Sequence, residues 1–271
     1  MEGEPGMTHQ TLLYKEPVPG LAEVVLNRPE THNAINWVMV EELETLLNTL
    51  QKSASVRVMI LTGAGSDFSS GADLRDERVM SPCRQGALAH LEHTQRRFTG
   101  LVLQMSRLPQ PVITAVNGPA LGAGLGLALA GDIIIASTRA AFTASYINVG
   151  LSGGEMGSSY LLPRMVGLPR AMDILLTGRT VGSEEAERIG LVSRLVEPEA
   201  LMSEARETAR IMLAKSSAGL RMTKESVRMN LSAAGLEAAG AFEDRNQSLC
   251  TQQPESQALL AQILERISNP S

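Results

Sequence analysis

The order of the apolar runs constrains this chain more than any other feature. Short runs rich in Val, Ile and Leu alternate with longer stretches whose apolar residues recur at helical spacing. Strands separated by helices pair as parallel neighbours through crossover connections. Leu21–Leu26 reads as a strand stopped by Asn27-Arg28-Pro29, and residues 34–50 as a helix carrying Val40, Leu43, Leu46, Leu47 and Leu50 on one face. Residues 56–61 read as a strand ended by Gly63-Ala64-Gly65, residues 73–85 as a polar loop, and residues 88–108 as a helix. Strand signals at 111–116 and 132–137 flank a glycine-punctuated helix at 122–131. Beyond Glu197-Pro198 only helix signals remain, at 199–215, 217–231, 235–249 and 254–267. The sequence therefore predicts an α/β core over residues 1–198, its first ten residues frayed, and a helical region over 199–271. At 271 residues and 44% hydrophobic content, the chain is large enough to bury one sizeable core with an appendage.

Charge and residue usage narrow the function classes. A net charge of -5 offers no basic surface to a nucleic acid, and 3% aromatic content leaves little for base stacking. Cys83 and Cys250 stand far apart, in no metal-ligand spacing, and suit reduced thiols in a cytoplasm. The N-terminal stretch has no basic region followed by an apolar run, so no secretory signal is expected. The most apolar stretch, residues 120–136, is interrupted by glycines and Asp132 and is too short to span a bilayer. Neither a membrane nor a metal is expected as a partner.

Three glycine-rich segments each follow an apolar strand: Phe68-Ser69-Ser70-Gly71-Ala72-Asp73, Asn117 to Gly124, and Gly150 to Gly157. Small residues let backbone approach a ligand closely and leave N–H groups free to point at it. N–H groups from two such loops can converge on one developing oxyanion. A dinucleotide loop fits Gly122-Ala123-Gly124-Leu125-Gly126 poorly, because Leu127 stands where the last glycine of G-x-G-x-x-G belongs.

Asn27-Arg28-Pro29 with Asn33-Ala34, the first two glycine-rich segments, Asp132, and Leu176-Thr177-Gly178-Arg179 through Gly190-Leu191-Val192 resemble the crotonase (enoyl-CoA hydratase/isomerase) superfamily, in order, over residues 10–250. The resemblance implies a crotonase-like (ClpP/crotonase) α/β spiral of ββα units with a helical C-terminal trimerisation region. It also implies an acyl-CoA thioester substrate, a homotrimer or hexamer, and no cofactor beyond the coenzyme A of the substrate. The family's oxyanion-hole amides fall on Ala72 and Ala123, beside Gly71 and Gly122. Its coenzyme A contacts fall on Ser66, Ser70 and Arg75.

The hydratase members of that family carry two glutamates that this chain lacks: their positions fall on Gly126 and Tyr146. Glu155, in the third loop and at the expected start of a helix, falls where isomerase, hydrolase and dehalogenase members place a working carboxylate. One carboxylate suffices for a 1,3-proton shift through a dienolate. The expectation is thus a Δ3,Δ2-enoyl-CoA isomerase with Glu155 as base and Tyr146 as a neighbouring wall. The alternatives are an acyl-CoA hydrolase or lyase, and a non-catalytic acyl-CoA-binding protein. Asp76 and Glu77 are secondary candidates, Asp73 and Asp132 read as structural, and His90 with His93 reads as a helix face.

Overall fold

The computed structural model describes residues 9–268. The frayed segment expected at 1–10 lies largely outside them. Where it is described, the backbone is held: the Gln10 N–H donates to Glu42 Oε1 at 2.5 Å. The strands are β1 (Leu12–Val18), β2 (Leu21–Leu26), β3 (Val58–Gly63), β4 (Val112–Val116), β5 (Ala120–Leu121), β6 (Ile133–Ser137), β7 (Ala141–Thr143), β8 (Thr180–Gly182) and β9 (Arg194–Val196). The helices of the core are α1 (Trp37–Lys52), α2 (Glu77–Gln85), α3 (Ala87–His90), α4 (Arg96–Arg107), α5 (Ala123–Leu129), α6 (Ser158–Val166), α7 (Leu168–Thr177) and α8 (Ser183–Arg188). Beyond β9 follow α9 (Leu201–Leu213), α10 (Ser217–Asn230), α11 (Leu236–Thr251) and α12 (Pro254–Ser268).

The main sheet runs β1-β2-β3-β4-β6-β9, parallel except for the antiparallel β1–β2 pair at its edge. A small second sheet runs β5-β7-β8. Two isolated parallel bridges, Ile35 with Ala72 and Ser69 with Ala120, extend the small layer. A repeating pattern results: a strand in the main sheet, a short extended piece in the second layer, then a helix. β4-β5-α5 and β6-β7-α6 show it in full, and β3 followed by residues 69–72 and α2 repeats it with bridges in place of a strand. This register sets the loops after β3 and β4 side by side.

Both faces of β2, β3, β4 and β6 are covered, so these strands read as continuous apolar runs. Met59 and Leu61 of β3 face the large core, while Val58 and Ile60 face α9 with Leu201, Ala205 and Ala209. Glu23 of β2 lies buried on the α9 side, where Arg206 donates to it at 2.6 Å and Lys15 pairs with it at 3.0 Å. Burial pushes the Glu23 carboxyl up, but the two cations outweigh it and hold it below the usual range. Lys224 of α10 is buried too, donating to Gln110 O at 2.9 Å and pairing with Asp132 Oδ2 at 2.8 Å. Asp132 also accepts from the Val112 N–H, which ties the tail to β4 and β6 and fits the structural role read for this residue.

β1 and α2 differ from the expectation. β1 carries only one buried residue, Leu12, and so shows no period-two apolar pattern in the sequence. Residues 77–85, expected as loop, are helical. Asp76 caps this helix by accepting from the Arg78 N–H at 2.9 Å, and buried Val79 and Pro82 hold it to the core. Pro82 inside the helix is a strong breaker signal, which tertiary burial overrides.

Candidate active site

The second layer assembles the site. Asn33 Nδ2 donates to the carbonyls of Ala64 and Asp67, and Asn117 Nδ2 donates to those of Gly65 and Asp67. Two asparagine amides thus fix the loop after β3 onto its neighbours. The Ile35–Ala72 bridge uses the Ile35 N–H to Gly71 O at 2.7 Å and the Asp73 N–H to Ile35 O at 2.9 Å. A parallel bridge of this kind leaves the Ala72 N–H on the opposite edge, and no acceptor meets it among the described hydrogen bonds. Ala123 opens α5, so its N–H has no intrahelical acceptor either. Gly71 sits at φ +97, and a Cβ there would lie 2.8 Å from Leu121 O and 3.3 Å from Ala123 N. Only glycine permits that approach of the first loop to the second.

Between these loops lies a cavity of about 360 Å³, within the range of small-molecule sites. Ser70, Gly71, Ala72, Gly122, Ala123, Tyr146 and Glu155 all border it, with Val79, Met80, Phe98 and Met156 forming apolar walls. Glu155 is the one carboxylate in that lining. Its backbone is pinned by Ser158, whose N–H and hydroxyl both donate to Glu155 O. The residue was expected to open a helix, but α6 begins at Ser158, so Glu155 precedes the helix instead. Burial is the largest influence on its carboxyl and raises its proton affinity; Gln95 and the charge of His90 oppose that and do not cancel it.

Tyr146 is nearly fully buried, and its hydroxyl has no hydrogen-bond partner among the described residues. Burial, then the nearby Glu155 charge, push this phenol far above its ordinary range, so it stays neutral. Gly126 carries no side chain into the site: its Cβ position is occupied by Met156, 2.6 Å away.

Other residues singled out from the sequence lie elsewhere. Ser66 donates to Asp67 at 2.5 Å and Arg75 is largely exposed, and neither borders the cavity. Asp76 accepts from the Trp37 and Arg78 N–H groups, and Glu77 pairs with Arg84 at the surface. Asp73 pairs with Arg28 at 2.9 Å; burial pushes its carboxyl up, and Arg28 with the Arg75 N–H brings it below the ordinary range. On the helix expected at 88–108, the polar cavity residues Thr94 and Gln95 were not singled out from the sequence, and His90, read there as part of a helix face, also borders the cavity. The expected helix at 88–108 is broken by a π turn at Leu91–Gln95, where the Arg96 N–H donates to Leu91 O. Helical periodicity puts Gln95 about 140° away from His90, so no sequence signal joined those two.

Residues 17–269 match the profile of a family described as "Enoyl-CoA hydratase/isomerase". The chain is 45% identical over 240 residues to a Mycobacterium bovis protein described as "Probable enoyl-CoA hydratase echA12", covering 85% of this chain and 81% of that one. It is 36% identical over 210 residues to the 1,2-epoxyphenylacetyl-CoA isomerase of Escherichia coli, covering 77% and 78%. Among solved structures, a monofunctional enoyl-CoA isomerase from M. smegmatis superposes with a TM-score of 0.72 at 43% identity, covering 85% of this chain and 98% of that one.

Proposed function

The chain belongs to the enoyl-CoA hydratase/isomerase family and has the crotonase fold, and from that premise we propose that it is a Δ3,Δ2-enoyl-CoA isomerase. The observation that carries the proposal is the lone carboxylate, Glu155, on a cavity that also receives the unpartnered amides of Ala72 and Ala123. In this reading the thioester oxygen of a 3-enoyl-CoA sits between the two amides. Glu155 removes a proton from C2, and the electron pair moves into the thioester to form a dienolate. The amides stabilise the charge on oxygen. The protonated Glu155 then returns its proton at C4, giving the 2-enoyl-CoA. Burial favours this role, because a carboxylate of raised proton affinity is a stronger base toward C2, and a carboxyl moved toward the operating pH suits a group that must both take up and return the proton. Syn hydration needs a second carboxylate to hold water, and the cavity lining supplies none.

The reaction needs no cofactor beyond the coenzyme A carried by the substrate, for which Ser66, Ser70 and Arg75 are the proposed contacts. No helix of the described residues is long and apolar enough to cross a membrane; cytoplasmic location and assembly as a trimer, or a pair of trimers, complete the reading. The exposed apolar residues Leu236, Leu260, Ile263, Leu264 and Ile267 of α11 and α12 support assembly. The test is to follow 3-enoyl-CoA and crotonyl-CoA with the same enzyme. Fast conversion of the first and negligible hydration of the second are expected. Robust hydration of crotonyl-CoA, or full isomerase activity in Glu155→Gln, would overturn the reading.

A further inference from the structure

Much of the cavity wall is buried, but three of its large apolar residues are not. Val79, Phe98, Ala123 and Met156 are each no more than 3% exposed, whereas Leu74, Val149 and Leu151 border the same cavity at 63%, 65% and 48% exposed. A side chain that both lines a cavity and faces solvent stands at its mouth. Scattered exposed leucines need no explanation. A cluster continuous with an apolar cavity marks a surface that meets a ligand. The three residues come from two loops: Leu74 follows Ala72 closely in the first, and Val149 and Leu151 follow Tyr146 in the third.

Both loops are held by hydrogen bonds. The Val149 and Leu151 N–H groups donate to Tyr146 O at 3.2 and 3.0 Å. Asn148 Nδ2 donates to Gly178 O at 2.9 Å, which ties the same turn to the end of α7. Leu74 lies between Asp73, whose N–H donates to Ile35 O at 2.9 Å, and Arg75, whose N–H donates to Asp73 Oδ1 at 3.1 Å. The backbone that carries Leu74 is therefore bonded on both sides.

We propose that Leu74, Val149 and Leu151 form a rim over which the distal methylenes of a long acyl chain leave the cavity, so that the enzyme selects medium- and long-chain apolar acyl-CoA thioesters over short ones. The proposal rests on the acyl-CoA reading of the cavity, with the thioester between the Ala72 and Ala123 amides. Those amides fix one end of the acyl group among buried walls. Chain beyond the capacity of about 360 Å³ has the mouth as its outlet, and there it meets apolar side chains instead of water. A short acyl group ends inside and never touches the rim. Methylenes enclosed by the cavity leave water completely, and each should tighten binding about fourfold. Methylenes on the rim are covered on one side and should add roughly twofold each. Beyond the rim, further length adds nothing.

The experiment measures Kd by calorimetry for saturated acyl-CoAs from butyryl to hexadecanoyl, below their micellar concentrations. The full-length protein is compared with Leu74→Ser combined with Leu151→Ser, and with Val149→Ser; all three positions are exposed, so circular dichroism should show the fold kept. In the wild type, affinity should climb with length and then level off. In the double variant, butyryl-CoA should bind as before and hexadecanoyl-CoA about tenfold more weakly, with Val149→Ser changing in the same direction. Equal weakening at every length overturns the proposal, because the rim would then touch the pantetheine that all these ligands share. Wild-type affinity that falls at the longest chains overturns it too, since a closed pocket has no outlet. So does a variant that changes mass by light scattering with its length series intact, which would assign the rim to a second copy of the chain. Saturated thioesters cannot isomerise, so the reaction is judged apart: full isomerase activity in Glu155→Gln refutes the proposed base while the length series still decides the rim. Failure to bind any acyl-CoA removes the site and the rim together, and a flat series with binding intact removes the rim alone.

Discussion

Met156 fills the space that a side chain at Gly126 would need. A Cβ at Gly126 would lie 2.6 Å from Met156 Cβ and 3.2 Å from its carbonyl oxygen. Met156 is buried and holds φ at +47, a conformation that costs a non-glycine residue energy. The absence of a carboxylate at position 126 is therefore built into the packing of the third loop. Gly126→Glu should destabilise the fold by about 1–3 kcal/mol from overpacking alone, and should not confer hydration of crotonyl-CoA. Urea denaturation and a hydration assay check both halves. Adding Met156→Gly should recover part of the lost stability.

Glu155→Gln should lower isomerisation by roughly 100- to 10,000-fold, with little change in thioester affinity. Its effect on stability depends on pH. The folded-state proton affinity of Glu155 is raised, so its favourable contribution is complete below the unfolded value and is lost as pH rises through the folded one. The glutamine variant should therefore melt higher than wild type at about pH 8 and alike at about pH 4. Thermal melts at both pH values test this, and a variant that melts lower at the alkaline pH would contradict it.

Ala123→Pro deletes one of the two free amides. Ala123 is the first residue of α5, the helical position where proline is best tolerated. The variant should keep its fold by circular dichroism and lose about 100- to 1000-fold in kcat/KM. A loss of less than tenfold would remove the Ala123 amide from the oxyanion hole.

Among the described residues, Asp132 is the single carboxylate that meets both Lys224 and Arg228. Burial pushes the Lys224 ammonium down, and the Asp132 charge opposes it. Asp132→Asn leaves a buried cation without its counter-charge and should cost about 3–5 kcal/mol in urea denaturation. Since Asp132 lies outside the cavity, kcat should hold wherever the variant is folded.

The apolar face of α12 predicts self-association. Ile263→Asp should shift light scattering from an oligomeric mass toward the monomer without changing the core. A monomeric wild type at micromolar concentration would remove the assembly.

Most of the architecture was legible because burial imposes period. The α1 stripe from Val40 to Leu50 and the apolar runs of β2, β3, β4 and β6 stand in the sequence as they stand in the fold. Elements with one buried residue, or with a breaker inside them, left no such trace: β1 has only Leu12 on the core, and α2 carries Pro82. The glycine-rich loops, the missing carboxylates at Gly126 and Tyr146, and Glu155 as a candidate also came from the sequence, because residue type at a position is what a sequence records. Only the tertiary structure decided that Met156 occupies the place above Gly126, that burial prevails over the other influences on Glu155, and that His90 and Gln95 share one side of a π turn. Each of these depends on distances between segments far apart in the chain or on one extra residue in a helical turn. Neither changes the apolar pattern from which a fold is read.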